Sequence, residues 1–215
     1  MRTRVLIVDD HSAAREGLAV RITSQPDLEV CAQAADAAEA MKLVETSHPD
    51  VVVVDIQLEV GSGFDLVEWI KLHHGSIGIL VWSMYSDTIY AERALRAGAL
   101  GYINKQQATS RIVEAIRRVR DGKIFLCEET AERLLGQAVG SGKQGKGLGV
   151  EVLSQRELQV FRLIGEGLTT SQIARRLRRS VNTVGAHREK IKRKLGLKGA
   201  GELTRAAMQW RLENG

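Results

Sequence analysis

The sequence predicts two folded parts: a parallel α/β sheet of five βα units in residues 1–125 and a small all-α bundle in residues 151–215, joined by a linker over 126–150. Three observations carry this. Short β-branched runs alternate with helix-length amphipathic segments through the first part, the mark of parallel strands covered on both faces. Residues 140–149 hold five glycines in ten, a composition that suits a flexible spacer and no core element. Beyond them the apolar period changes to 3.6, with helix-start signatures ahead of several segments.

In chain order, strands are expected near 4–8, 28–32, 51–55, 78–83 and 101–104. Helices are expected near 12–24, 37–48, 63–73, 88–97 and 107–121. Ser12 and Asp36 suit N-caps, and Gly98 and Gly122 stand where helices should stop. Repeated β-α-β order predicts right-handed crossovers with helices on both faces. A short helix over 128–138 precedes the glycines. In the second part, Ser154-Gln155-Arg156-Glu157 is a capping box opening a helix to about Gly165, and Thr169 with Gln172 repeats it for a helix to about Arg178. Ser180 starts a third helix reaching Leu195, and 201–212 forms a fourth. The middle pair, joined by a tight turn at 179–181, has helix-turn-helix proportions.

Charge separates the two parts. Residues 1–125 carry 14 Lys/Arg against 17 Asp/Glu, a net of −3, whereas residues 151–215 carry 14 against 6, a net of +8. A compact basic segment beside an acidic one fits nucleic acid as partner; a merely soluble basic surface fits the charge alone equally well. Cys31 and Cys127 have no metal-type spacing and make no disulfide framework, which suits a reducing compartment. Met1-Arg2-Thr3-Arg4 runs straight into a strand, without the apolar stretch of a signal peptide or membrane span, so a cytoplasmic location is expected.

The expected strands end in polar residues. Val5-Leu6-Ile7-Val8 leads to Asp9-Asp10, the valines 51–54 lead to Asp55, Ile79-Leu80-Val81-Trp82 leads to Ser83, and Tyr102-Ile103-Asn104 leads to Lys105. In parallel α/β sheets ligand and catalytic groups gather at the carboxyl ends of strands, where strand order reverses. Three carboxylates in one crevice repel one another unless a cation neutralises them. An all-oxygen set with room for waters suits Mg²⁺. Lys105 and Ser83 then stand ready for an anion that also touches the metal, which describes a phosphoryl group. Asp55 is the expected nucleophile, forming an acyl phosphate, with the ion, Lys105 and Ser83 on the transferring oxygens.

At these residues the chain resembles the receiver domain of two-component response regulators, over essentially all of 1–122. The resemblance rests on Asp9-Asp10, Asp55, Ser83, Tyr102 and Lys105 in the family's order, with Gly63 eight residues past Asp55 and the Ala97-Gly98-Ala99 turn. It implies a flavodoxin-like (βα)5 fold, direct Mg²⁺ ligation by Asp10 and Asp55, Asp9 acting through water, and the main-chain carbonyl of Gln57 completing the protein ligands. It also makes Tyr102 an aromatic switch that turns inward when Ser83 is drawn to the phosphoryl group. Departures from the family pattern are Leu58-Glu59 in place of Met-Pro, Trp82 in place of a smaller aliphatic, and no proline after Lys105. They bear on rates and partner choice and remove no essential group.

Residues 151–212 resemble the LuxR-type DNA-binding domain found fused to receivers in the NarL/FixJ class. The matching residues are Leu153-Ser154-Gln155-Arg156-Glu157, Gly167-Leu168, Ile173-Ala174, Ser180-Val181, Thr183-Val184, His187 and Lys194-Leu195-Gly196. The residues agree with this. On a wheel of 181–195, Val184, Ile191 and Leu195 share one face, which should pack on the preceding helix. Asn182, Ala186, Glu189 and Arg193 lie opposite, flanked by Gly185, Lys190 and Lys192, and that outer face, with Thr183 also among the candidate DNA contacts, should enter the major groove. Base reading falls to Asn182, Ala186 and Glu189. Lys190, Lys192, Arg193 and Lys194 cluster late in the helix and suit phosphates. Glu189 could accept from cytosine or pair with Arg193. Gly185, costly in a helix interior, either admits close approach to DNA or is neutral. His187 suits a packed structural histidine, and His73-His74 a solvated helix end. Leu203, Ala206, Ala207 and Trp210 form a stripe that should pack on the domain's own core, with a dimer contact from the same helix implied by the family.

The expectation is therefore a DNA-binding transcriptional regulator switched by Mg²⁺-dependent phosphorylation of Asp55 from a sensor histidine kinase, acting as a homodimer on paired half-sites. It is no enzyme beyond its own phosphoryl transfer and dephosphorylation. The alternative is a phosphorylation-independent DNA-binding regulator whose first domain serves dimerisation. An Mg²⁺-dependent phosphotransferase for small substrates would need a cap that no insertion is long enough to supply. A Ser83–His11 hydrolase lacks nucleophile-elbow glycines.

Overall fold

The computed structural model describes residues 2–84, 87–106, 111–138 and 149–214. The chain divides into two units, 1–142 and 143–215, and each is described by itself.

In the first unit the five valine-, isoleucine- and leucine-rich runs form strands β1 (Thr3–Val8), β2 (Leu28–Ala34), β3 (Val51–Val54), β4 (Gly78–Ser83) and β5 (Gly101–Asn104). All pair in parallel, in the order β2-β1-β3-β4-β5. Strand order therefore reverses between β1 and β3, which places the residues after those strands at the switch point of a flavodoxin-like sheet. Helices α1 (Ser12–Thr23), α2 (Ala37–Ser47), α3 (Gly63–His73), α4 (Asp87–Ala97) and α5 (Ile112–Arg120) connect or follow the strands.

Successive strand residues point to opposite faces. Val5, Ile7, Val51, Val53, Leu80 and Ile103 accordingly form one core with Leu18 and Ile22 of α1 and Ile112, Ile116 and Val119 of α5. The alternate residues Leu6, Val52, Val54, Ile79 and Val81 are fully buried on the other face. Arg117 of α5 clamps Asp27 with two hydrogen bonds of 2.8 and 2.7 Å, tying the last helix to the start of β2.

Asp36 caps α2 by accepting from Glu39 N, as expected, and Gly98 and Gly122 have the positive φ values of helix-stop glycines. Ser12 does not cap α1. It is the first helical residue, and His11 takes the N-cap position with its N–H donated to the Asp9 carboxylate at 2.9 Å. The acceptor is itself local, two residues before the N-cap. Of the helix expected over 107–121, residues 107–110 lie outside the described residues, as do residues 139–148 with most of the glycine-rich stretch. The helix over 128–138 is present as α6 (Glu128–Ala138), packed on α4. Residues 126–138, expected as linker, thus belong with the first unit. Thr130 is buried there, which ties α6 down.

The second unit begins with a short 3-10 turn, Val150–Val152, followed by α7 (Gln155–Gly165), α8 (Thr170–Arg176), α9 (Val181–Leu195) and α10 (Ala200–Asn214). Both expected capping boxes form, Ser154 with Glu157 and Thr169 with Gln172, and Ser180 caps α9 through Thr183 N. Leu158, Phe161, Ile173, Val184, Ile191, Leu203, Ala207 and Trp210 are buried. Phe161 and Trp210 meet with ring centroids 5.8 Å apart. A Cβ on Gly165 would run into the Ala207 carbonyl, so α7 and α10 approach as closely as they do only with glycine there.

Candidate functional site

The carboxyl ends of β1 and β3 deliver Asp9 and Asp55 side by side into the crevice of the first unit. Their side chains are 0% and 3% exposed. Two carboxylates at that depth need positive charge. It comes from Lys105, two polar residues past the apolar part of β5, whose Nζ donates to Asp9 Oδ2 at 2.5 Å and to Asp55 Oδ2 at 2.7 Å. Burial works against the ammonium, but Asp55 and Asp9 outweigh it and hold the Lys105 pKa above the ordinary lysine value. The Lys105 N–H also donates to the Ser83 carbonyl at 2.8 Å, fixing the ends of β4 and β5 against each other.

Asp10 is closer to solvent and accepts the Glu59 N–H at 2.8 Å, which tethers the loop after β3 to the site. Asp55 accepts the Gln57 N–H at 2.9 Å. Gly63 opens α3 directly beneath this loop. A Cβ there would collide with the Asp55 carbonyl and Ile56 Cα, so only glycine lets the helix start so near Asp55. Ser83 is fully buried, and its Oγ has no hydrogen-bond partner among the described residues. A buried hydroxyl without a partner in the same crevice suits a polar atom of a ligand. Tyr102 is 1% exposed, so its side chain is buried without the phosphoryl-driven inward turn that the resemblance implied.

Asp9, Asp10, His11 and Asp55 each present a donor atom within 4.8 Å of the others, a group able to hold a metal ion. The three carboxylates fit a hard cation such as Mg²⁺, and the orphaned Ser83 and the cationic Lys105 fit an anion beside it. His11, whose Nδ1 lies 2.7 Å from Asp10 Oδ1, was not expected among these groups. Its adjacency to the Asp pair was the signal that pointed to it.

In the second unit the exposed residues of α9 are Val181, Asn182, Thr183, Ala186, Glu189, Lys190, Arg193 and Lys194, while Val184 and Ile191 are buried and Gly185, His187, Arg188, Lys192 and Leu195 are intermediate. The exposed set includes Asn182, Ala186, Glu189 and Arg193, the outer face expected from the helical wheel. The charges behave differently from expectation at two places. Glu189 pairs with Lys192 at 2.8 Å (i,i+3), not with Arg193. Lys194, expected among the phosphate contacts, donates to the buried Glu157 carboxylate at 2.7 Å and to the Val152 carbonyl at 3.1 Å. Glu157 is held inside by its capping box and requires that cation, so Lys194 is committed to the fold. Burial pushes the Glu157 carboxyl up, yet Lys194 and the Ser154 donors outweigh it and leave its pKa lowered. His187 is packed as expected: its Nδ1 is buried without a partner among the described residues, and burial followed by the charge of Lys190 lowers its pKa.

The wheel also missed exposed arginines at the other end of the helix. Arg175, Arg178 and Arg179 stand around the turn before α9, and Arg178 adopts a positive φ of 49° there. The run Arg175-Arg176-Leu177-Arg178-Arg179 was legible as a basic cluster. At the far end of the domain, Leu203, Ala206, Ala207 and Trp210 are all buried in its own core. No helix among the described residues is long and apolar enough to cross a membrane.

Comparison with known proteins agrees with both halves. Residues 5–117 match the response regulator receiver domain family, and residues 151–207 match the family of bacterial regulatory proteins, luxR family. The chain is 34% identical over 213 residues to the oxygen regulatory protein NreC of Staphylococcus aureus, covering 97% of this chain and 98% of that protein. A two-component response regulator of the LuxR family from Aurantimonas sp. SI85-9A1 superposes with a TM-score of 0.60 at 32% identity, over 65% of this chain and 99% of that one. RcsB of Salmonella enterica serovar Typhimurium, solved on the rprA promoter with the phosphomimetic BeF3−, superposes with a TM-score of 0.64 at 24% identity, over 97% and 99% of the two chains.

Proposed function

Because this chain belongs to the response regulator receiver family and carries a LuxR-family DNA-binding domain, we propose that it is a cytoplasmic transcription regulator switched by phosphorylation of Asp55 from a sensor histidine kinase. The observation that carries the reading is Lys105 Nζ at 2.7 Å from Asp55 Oδ2, with the Ser83 Oγ on the adjacent strand buried and without a partner among the described residues.

In the forward step an Asp55 carboxylate oxygen attacks the phosphorus of a phosphohistidine on the kinase. The O–P bond forms as the P–N bond breaks, and the electron pair returns to the imidazole nitrogen, which takes up a proton. Lys105 holds one phosphoryl oxygen and Ser83 donates to another. Asp10, Asp55 and the Gln57 carbonyl would hold Mg²⁺, with Asp9 acting through water; the bound ion supplies charge neutralisation for the transferring oxygens. Water attack on phosphorus returns the carboxylate and inorganic phosphate, so the chain promotes only its own modification and its reversal.

Drawing Ser83 to the phosphoryl group shifts the population of the surface between residues 83 and 105, with Tyr102 as the aromatic element of the shift. Dimers then present two α9 helices to paired half-sites. On each, Asn182, Thr183, Gly185, Ala186 and Glu189 face the bases, and Lys190, Lys192 and Arg193 face phosphates. Arg175, Arg178 and Arg179 supply phosphate contacts at the opposite end of the helix. A helix of 15 residues is about 22 Å long, longer than the major groove is wide, so basic groups at both ends can reach both backbones.

The test is intact mass after incubation with Mg²⁺ and acetyl phosphate, for wild type and Asp55→Asn. One phosphoryl increment on wild type, absent from the variant and lost on chelation, is expected. Labelling of Asp55→Asn to the same extent would sink the assignment.

A further inference from the structure

We propose that Trp82 is a positioning residue for Lys105, its indole face holding the ammonium at the phosphoacceptor while the carboxylates around it change partners. The proposal rests on the reading of Asp55 as phosphoacceptor.

The register of the sheet creates the contact. Trp82 of β4 pairs with Ile103 of β5, and both point into the core shared with α1 and α5. Lys105 follows Ile103 by two residues, so its stem leaves the strand on that same side. The result is an ammonium 4.8 Å from the centroid of the Trp82 ring, within cation–π range. Among the described residues Lys105 Nζ thus meets the Asp9 carboxylate, the Asp55 carboxylate and the indole.

Two of those neighbours are unreliable during function. A cation at Asp9 and Asp55 competes with Lys105 for the same oxygens, and modification of Asp55 removes the charge it pairs with. The long lysine stem could then carry the ammonium toward solvent. Trp82 is the neighbour whose hold does not depend on the state of the carboxylates. Its own position is fixed, because the ring packs on the core and its Nε1 is buried with no partner among the described residues. Burying that N–H carries a cost that a leucine filling the same space would avoid. Packing alone therefore gives no reason for an indole here, whereas the quadrupole of its face does.

Losing a partly desolvated cation–π contact corresponds to about 3- to 30-fold in rate. Wild type, Asp55→Asn, Trp82→Phe and Trp82→Leu full-length proteins are compared for the rate of labelling by acetyl phosphate and by phosphoramidate at fixed Mg²⁺. Mg²⁺ affinity without donor is measured by calorimetry, and folding is checked by thermal melts. Trp82→Met takes the place of Trp82→Leu if the latter does not fold. Trp82→Phe, which keeps an aromatic face, should label within about threefold of wild type. The aliphatic variant should be slower by the larger factor, with Mg²⁺ affinity unchanged in both, since Trp82 offers the ion no oxygen. An aliphatic variant as fast as wild type overturns the proposal. So does a Phe variant as slow as the aliphatic one, which would assign the effect to packing, or a loss of Mg²⁺ affinity in either. Absence of labelling in wild type, or labelling of Asp55→Asn, overturns the phosphoacceptor reading and this proposal with it.

Discussion

Replacing Lys105 by Met removes the cation that bridges two buried carboxylates while keeping most of the volume of its stem. Lys105 is 8% exposed, Asp9 0% and Asp55 3%, so none of the three can recover full hydration in place. Breaking a buried ion pair costs about 3–5 kcal/mol, chiefly because the surviving charge is left uncompensated. Here two charges survive and also repel each other, so the upper part of that range is expected. In a unit of this size 5 kcal/mol lowers the melting temperature by roughly 10–20 °C.

The same variant predicts how a cation acts. In wild type Mg²⁺ must compete with Lys105 for Asp9 and Asp55, whereas in Lys105→Met it meets the carboxylates unopposed. A ligand at a hundredfold its Kd adds about 2.7 kcal/mol to stability. The Mg²⁺-induced rise in melting temperature should therefore be larger in the variant than in wild type. Scanning calorimetry of the full chain in EDTA and in Mg²⁺ measures both quantities. A variant as stable as wild type in EDTA, or equal Mg²⁺ increments in the two, would refute the argument that ammonium and metal neutralise the same pair.

Four further outcomes are expected. Lys194→Met should destabilise the second unit by about 3 kcal/mol, because Glu157 stays buried without its cation, and should leave the salt slope of DNA binding unchanged. Lys190→Ala, Arg193→Ala and Arg179→Ala should each flatten that slope by about 1, which binding titrations across salt concentrations will read. Since the Glu157 pKa is lowered on folding, it contributes stability above the unfolded carboxyl value that is lost as pH falls through its folded value; urea unfolding of Glu157→Gln should lack that acid-dependent portion. Gly185→Ala should stabilise α9 by about 1 kcal/mol, as a Cβ there meets nothing, and a fall in DNA affinity in the same protein would show that close approach needs the glycine.

The sequence made the strand ends legible because burial on both faces forces nearly continuous apolar runs, and a polar residue that ends such a run has nowhere to go but the crevice. Capping boxes were legible for a local reason: donor and acceptor lie three residues apart, as Ser154 and Glu157 do. What escaped were choices among competing partners and positions. Ser12 was expected to cap α1, but the helix starts one residue earlier, with His11 at the N-cap and its N–H bonded to Asp9. Glu189 had two possible partners one residue apart, and Lys192 is the one it pairs with. Lys194 sits in a basic run where every neighbour suggests phosphate, and only the burial of Glu157, 37 residues earlier, reassigns it. Residues 126–138 read as linker because α6 is polar on most of its surface, and the face that docks on α4 is narrow.

The candidate site shows the same competition turned to use. Asp9 and Lys105 are 96 residues apart and Asp55 and Lys105 are 50 apart, so the sheet's topology alone brings them together. Residue types at the strand ends declare which charges will meet but leave open which charge neutralises which. With three carboxylates and one ammonium, the site carries excess negative charge that invites a cation, and any cation that binds loosens Lys105 from the pair it bridges. On the proposed reading, Lys105 would then meet an incoming anion where Asp55 would attack it. A buried pocket with balanced charges would be stable and inert. The imbalance makes the site responsive, and it requires a neighbour such as Trp82, indifferent to ionisation, to keep Lys105 in place while its partners change.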